Sequence, residues 1–262
     1  MITNISCVIL DMNNKIVSPG LVLREQPVKD HNSLLTILTA TDGLVTATAY
    51  GARKSGSSLS SGTKLFNYSE FTLLESRGHY KVDSAKSLEQ FFALSNSIEG
   101  LAAASYFVQL LYDVSLAGEP DAAVLRLALN ALYALAKGVR PHRLVKSAFE
   151  LRLMALAGFE PELDVCAGCG GRNTAFFSMT DACVYCENCA APRRSSGDRI
   201  YPLYPAALDA MRYIVSADMP RLFSFSLGDE AAANLSFLCE LYTREQMGRS
   251  YESLDIYHSL CD

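Results

Sequence analysis

The sequence has no stretch of about 18 uninterrupted apolar residues, which excludes a membrane-spanning helix. It opens on Met1-Ile-Thr-Asn-Ile-Ser-Cys7 with no basic segment ahead of an apolar run, so no secretory leader is expected and the chain reads as cytoplasmic. Catalytic signatures are missing too. The four histidines, His31, His79, His142 and His258, never take the HExxH spacing of zinc hydrolases. The His-x-Glu and Pro-Cys-x-x-Cys pattern of zinc deaminases is absent, as are a GxxxxGK[ST] phosphate loop and a nucleophile elbow. Neither an enzyme nor a small-molecule substrate is expected. Basic charge is in short supply as well: the net charge of −5, taken alone, argues against a polyanion ligand.

The average conceals an asymmetry. Residues 1–80 hold seven Lys/Arg and six Asp/Glu, whereas residues 81–262 hold sixteen and twenty-two. Within the acidic part, 122–159 carries Arg126, Lys137, Arg140, Arg143, Lys146 and Arg152 against the single acid Glu150. Polyanion binding follows local fields, so such a patch can work on an acidic protein, more weakly.

Half the residues are apolar and 19% are charged, enough for a buried core. The first eighty residues read as β structure. Short apolar or alternating runs at Ile16-Val17, Leu21–Leu23, Leu34–Leu38 and Leu44–Tyr50 are separated by Asn13-Asn14, Pro19-Gly20, Asp42-Gly43 and Gly51. Asp42-Gly43 suits a hairpin turn. After the Ser/Gly loop at 54–64, further runs occur at Phe66–Leu74 and His79–Ser84. Five strands in this length predict a small closed barrel. From about residue 85 the period becomes helical, with helices expected at Ile98–Leu116, Ala122–Lys137, from Pro141 to about Gly158, Pro205–Ile214 and Ala231–Met247. The expected division is therefore a barrel domain at 1–82 and a mainly helical domain at 83–262, an α+β chain.

Eight cysteines are present, five of them between 166 and 189. Cys166-Ala-Gly-Cys169 and Cys186-Glu-Asn-Cys189, sixteen residues apart, have the spacing of two metal knuckles joined by a short ribbon at Phe176–Met179 and Ala182–Tyr185. In a chain without a leader this favours metal over disulfides. Four thiolates leave a tetrahedral Zn²⁺ no open position, so the site is expected to be structural. Iron is the chemical rival and free thiols the plain alternative. Cys183, three residues before Cys186, competes as a ligand; the outer pair is preferred because Ala190-Ala-Pro192 gives a natural exit from a knuckle. Cys7, Cys239 and Cys261 are expected to be packing or surface residues.

Gly20-Leu-Val-Leu-Arg24-Glu25, Leu34–Thr39, Asp42-Gly43 and Gly51-Ala-Arg-Lys54 together resemble the bacterial recombination mediator family RecO. Leu65-Phe66, Glu70-Phe71, Ser76-Arg-Gly78, Phe149–Leu153 and the CxxC pair continue the match in order to about residue 190. The resemblance implies an OB-fold, a helical domain and a zinc knuckle inserted at about 160–192. It implies a non-enzymatic protein that binds single- and double-stranded DNA and anneals complementary strands. With RecR, such proteins help load RecA onto DNA coated by single-stranded-DNA-binding protein, whose acidic C-terminal tail they bind. Such a protein would be nucleoid-associated. The family's loop after Gly-Ala-Arg-Lys is richer in Lys/Arg; here Ser55–Thr63 carries no charge.

An OB barrel binds single strands through a cationic groove and aromatic platforms. Arg24, Arg53, Lys54 and Lys64 are the candidate groove residues, with Arg77 and Lys81 nearby; solvated surface cations are the plain alternative. Tyr50, Tyr68 and Tyr80 could stack on bases, but strand tyrosines more often pack. In the helical domain, Arg140, Arg143 and Lys146 form a candidate cationic shelf for the acidic tail, with Leu144, Val145 and Phe149 for its apolar end. The competing expectation is a Lys146–Glu150 pair on the helix surface. A zinc-ribbon interaction or transcription module without annealing activity is the other functional class the sequence allows.

Overall fold

The computed structural model describes residues 15–76 and 78–261, which fall into two compact units. The first comprises residues up to Ala136 and from Ile256; the second is Lys137–Asp255.

The first unit is built on β1 (Lys15–Val28), β2 (Asn32–Thr39), β3 (Gly43–Ala49), β4 (Tyr68–Ser76) and β5 (His79–Glu89). They close in the order β1-β2-β3-β5-β4, with a parallel β3–β5 seam at Ala47↔Tyr80 and Thr48↔Lys81. Alternation along each strand sends Val22, Leu35, Ile37, Val45, Phe71, Leu73 and Val82 into one core. Pro19-Gly20, expected as a turn, lies inside a continuous β1. Residues 15–21 of that strand pair with β4, and pairing with β2 begins only at Gly20, so Pro19 sits where one edge is unpaired. At Gly20 a Cβ would lie 2.5 Å from Ile37 Cγ2, so glycine lets the strands approach. A bulge between Val22 and Arg24 bends β1 as it changes partner.

The Ser/Gly loop between β3 and β4 is a folded plug. Leu59 joins the barrel core, Thr63 donates to Leu59 O, and Ser69 donates to Gly62 O. Gly62 lies so close to β5 that a Cβ would meet Ala85 O at 2.4 Å. Only Leu59, Gly62 and Thr63 of the uncharged stretch are buried; Ser55, Gly56, Ser58 and Ser61 are exposed. Helices α1 (Ile98–Val114) and α2 (Ala122–Ala136) belong to the same unit, and Ser97 caps α1 by accepting the Gly100 amide at 3.0 Å.

The second unit packs α3 (His142–Leu156), α5 (Pro205–Ser216) and α6 (Asp229–Met247) with a ribbon. The ribbon comprises β6 (Phe176–Ser178), β7 (Cys183–Tyr185), α4 (Glu187–Ser195) and β8 (Ile200–Pro202), in sheet order β7-β6-β8. Its Phe177 face meets α6, with Phe177 and Tyr242 rings edge-on at 5.3 Å. Its other face buries Phe176, Cys183, Tyr185 and Ile200. Helix α7 (Glu252–Cys261) closes the described chain. Sequence periodicity places the long helices within about two residues, but it signals neither α4 nor α7. No helix among the described residues is long and apolar enough to cross a membrane.

Candidate nucleic-acid interface and metal centre

At the barrel rim the chain leaving β3 is tied to the β1–β2 turn. Gly51 adopts φ +66°, its amide donates to Asn32 Oδ1 at 2.7 Å, and the Arg53 amide donates to His31 O at 2.9 Å. Rigid backbone thus carries Arg53 and Lys54, both exposed, and the Lys54 stem lies over Gly51. Among the described residues, neither has a carboxylate partner, and the same holds for exposed Arg24. Lys64 differs: its ammonium pairs with Glu25 at 3.1 Å, and Glu25 also accepts from Ser33 Oγ at 3.0 Å. Arg77 lies outside the described residues.

The three candidate tyrosines separate clearly. Tyr68 is buried, and its hydroxyl is raised above its ordinary pKa by that burial. Tyr80 packs half-buried against the barrel core. Tyr50 is 56% exposed, and Lys81 Nζ sits 5.6 Å from its ring centre. The parallel Thr48↔Lys81 register places these two outward-facing side chains together, which no local sequence pattern signals. The rim can therefore offer cations to phosphates and one aromatic face to a base.

In the second unit, residues 166–171 form the first knuckle. Cys166 N donates to Gly171 O, Gly170 N donates back to Cys166 O, both at 2.8 Å, and Gly170 takes φ +72°. Ala167 N bonds Val184 O, anchoring the knuckle to β7. Cys186 and Cys189 form the second knuckle at the start of α4. Gly168 is what lets the two meet, since a Cβ there would fall 2.9 Å from both Cβ and Sγ of Cys189. The sulfurs of Cys166, Cys169, Cys186 and Cys189 all lie within 4.8 Å of one another.

These four sulfurs could hold a metal ion. Burial disfavours the Cys166 thiolate, but the amides of Cys186, Cys169 and Gly168 outweigh it and bring the thiol down to about 6. Cys189, crowded by the sulfurs of Cys186 and Cys166, is pushed up to about 12. Four thiolates at this separation need a metal ion to ionise together, and the donor set fits a soft or borderline divalent metal. Cys183 is not one of the four: it lies in the buried apolar cluster that also holds Cys166 and against which Cys186 and Cys189 pack, and burial raises its thiol. Cys7 lies outside the described residues. Two arginines brace α4: Arg193 stacks 4.9 Å from the Tyr185 ring while pairing with Asp181 and Asp198, and Arg194 stacks 4.9 Å from Phe176.

The expected cationic shelf on α3 needs correcting. Lys146 is fully buried, with its ammonium 2.9 Å from Glu150 and 3.0 Å from Glu240 on α6. Burial alone would lower its pKa; the two carboxylates outweigh it and hold the ammonium above its ordinary value. Glu150 is equally buried, so the pair is a core feature and no part of a helix surface. Leu144, Val145 and Phe149 are buried too and offer no greasy groove. Helical spacing puts these residues on one face correctly; that face turns to α6. Arg143 alone of the three cations is exposed. Arg140 is partly engaged, donating from Nε to Phe225 O at 2.7 Å and from Nη2 to Ser224 O at 3.1 Å.

Comparison with known proteins now places the chain. The family description "Recombination protein O N terminal" matches residues 12–91, and "Recombination protein O C terminal" matches residues 95–255. Curated relatives named DNA repair protein RecO extend along nearly all of it. The Acetivibrio thermocellus protein is 30% identical over 94% of this chain and 98% of its own length. Those of Alkaliphilus metalliredigens and Caldicellulosiruptor saccharolyticus are 27% and 25% identical, each over 92% of this chain and at least 97% of their own. With a five-stranded closed barrel followed by helices and a four-cysteine cluster, this chain belongs to the RecO family of DNA repair proteins.

Proposed function

We propose that this protein is a non-enzymatic recombination mediator that binds single- and double-stranded DNA and anneals complementary strands. With RecR it helps RecA replace single-stranded-DNA-binding protein, and it works at the nucleoid. The observation that carries this reading is the barrel rim, where Arg53 and Lys54 stand exposed, without carboxylate partners among the described residues, and Tyr50 is exposed with Lys81 over its ring. Arg53 and Lys54 neutralise phosphates, Tyr50 stacks a base, and Arg24 and Lys64 extend the path along β1. Opening the Lys64–Glu25 pair is cheap at an exposed site, so Lys64 remains recruitable by a phosphate.

The metal is Zn²⁺, one per chain, held by Cys166, Cys169, Cys186 and Cys189. When bound it supplies charge balance and a rigid crosslink; no position is left for water or substrate. For the acidic tail of single-stranded-DNA-binding protein, Arg143 is the contact this unit leaves available, with Arg140 beside it in sequence. Lys146 serves that surface indirectly by holding α3 on α6. The test is annealing of complementary oligonucleotides without ATP, by the zinc-loaded protein. Annealing is expected and should fall in Tyr50→Ala with Lys81→Ala. A zinc-replete protein that neither binds nor anneals DNA would contradict the reading and favour an interaction module.

A further inference from the structure

The segment from Gly51 to Asn67, which joins β3 to β4, has the Ser/Gly composition of a flexible linker and does not fold as one. It is a chain of tight turns: Lys54 N donates to Gly51 O, Ser57 N to Lys54 O, Ser60 N to Ser57 O and Asn67 N to Lys64 O, at 3.0–3.1 Å. Its ends are tied to the strands beside it. At the first end Gly51 N donates to Asn32 Oδ1 and Arg53 N to His31 O. At the other, Phe66 takes φ +65°, a strained backbone for an aromatic residue, and is kept there by its amide donating to Val22 O and the Val22 amide donating to Asn67 O. Between these ties the anchor is Leu59, which sits in the barrel core. Hydrogen bonds run from it in both directions. Leu59 N donates to Ser57 Oγ at 3.3 Å, one turn from Lys54, and the buried Thr63 hydroxyl, next to Lys64, donates to Leu59 O at 2.9 Å.

Lys54 and Lys64 stand at the two ends of the stretch that Leu59 anchors, and Ser55–Thr63 between them brings no charge. Leu59 is the one apolar side chain from residue 54 to residue 64, so no other burial can hold this stretch down. Backbone that orders only when a ligand arrives weakens binding by about fivefold or more for each residue fixed. A stretch ordered beforehand avoids that loss. We propose that Leu59 is a positioning residue for nucleic-acid binding: seated in the barrel core, it keeps Lys54 and Lys64 pre-ordered where the phosphates of a single strand meet them. Leu59 touches no phosphate, and its effect passes through the backbone. This role presupposes that the rim is the nucleic-acid interface, and concerns how that interface is kept in shape.

The test is the affinity of zinc-loaded full-length protein for a labelled oligothymidylate across a salt series, by fluorescence anisotropy, with the competent fraction counted by stoichiometric titration. Leu59→Ser should bind about tenfold or more weakly at every salt concentration. Its salt slope and competent fraction should stay at the wild-type values, because every cation remains and has only to be ordered on binding. Leu59→Met refills the core and should restore most of the affinity. Thr63→Val with Ser69→Ala removes the hydrogen bonds to Leu59 O and Gly62 O without hollowing the core, and should weaken binding in the same way. That variant decides the question if Leu59→Ser does not fold. Wild-type affinity in the folded variants overturns the proposal. So does a loss matched by a smaller competent fraction, which would make Leu59 a packing residue only. A lowered slope would mean cations that no longer reach phosphates, and would overturn pre-ordering as the cause. Arg53→Ala with Lys54→Ala separates the two failures. If that pair leaves the slope at the wild-type value, the rim is not the interface and Leu59 has no such role; if the pair lowers the slope while the Leu59 variants bind normally, only the role of Leu59 falls.

Discussion

Lys64 at the barrel rim and Lys146 in the α3–α6 seam both pair with glutamate at about the same distance, 3.1 Å and 2.9 Å, yet they do different work. The Lys64 side chain is half-exposed, its partner Glu25 is reachable by water, and the pair contributes little. Lys146 has no exposed surface, and two carboxylates converge on it. The contrast extends to the two units. Rim cations Arg24, Arg53 and Lys54 are left to solvent, whereas the second unit uses most of its cations internally. Arg152 donates to the carbonyls of Ile214, Val215 and Ala217 and thereby caps the C-terminal end of α5. Arg212 does the same for the Leu163 and Asp164 carbonyls in the segment leading to the first knuckle. Of the six basic residues clustered in sequence at 122–159, Lys146 and Arg152 are thus used inside the second unit and Arg140 partly so, and a run of cations in sequence is no single patch there.

The contrast can be broken most forcefully at the metal. Cys166→Ser or Cys189→Ser should abolish zinc binding and unfold the ribbon, because free energy of binding at such a site is folding free energy, on the order of 10 kcal/mol for small zinc domains. Zinc content by atomic absorption and thermal unfolding report it. Cys183→Ser should keep a full complement of zinc, and loss of metal in that variant would rewrite the ligand set.

Next in size is the buried lysine. Lys146→Met leaves Glu150 and Glu240 facing each other without a cation and should cost about 3–5 kcal/mol by urea unfolding. The sign with pH is fixed. In this variant the buried carboxylates keep their protons, so their folded pKa is raised, stability is retained at acid pH, and it is lost as pH rises through that value. The triple change Lys146→Met, Glu150→Leu, Glu240→Leu should recover most of the loss. At the small end, Lys64→Met should change stability by roughly 0–1 kcal/mol. Equal costs for Lys64→Met and Lys146→Met would erase the distinction between rim and seam.

For the acidic tail, Arg143→Glu should weaken a labelled acidic peptide about tenfold, since a charge-assisted hydrogen bond contributes about 1.5–3 kcal/mol. Unchanged anisotropy in the folded variant would move that binding site elsewhere.

What is legible in the sequence is whatever rests on local period or spacing. Alternation marks the barrel strands, and the three-to-four rhythm marks α1, α2, α3, α5 and α6 nearly to their ends. The CxxC pairs name four sulfurs that the fold brings within 4.8 Å. What stays hidden depends on partners far along the chain. Nothing near Lys146 announces Glu240, ninety-four residues on, so a face that turns into a seam looks solvated in the sequence. Tyr50 is indistinguishable from Tyr68 until the β3–β5 register sets Lys81 over one and the core over the other. Helix α4 escapes the helical rhythm because Pro192 interrupts its nine residues, and β1 looks like two strands because Pro19-Gly20 mimics a turn.

The central claim is that nucleic acid is held at the barrel rim by phosphate contacts from exposed cations. It is tested most directly by single-stranded DNA affinity across a salt series for Arg53→Ala with Lys54→Ala, against Arg140→Ala with Arg152→Ala. On a single strand, each phosphate that the protein no longer neutralises takes about 0.7 off the slope of log affinity against log salt. The rim pair should lower the slope by roughly one to two units, and the second-unit pair should leave it unchanged. A wild-type slope in the rim variant, or a fall confined to the second-unit variant, would contradict the account.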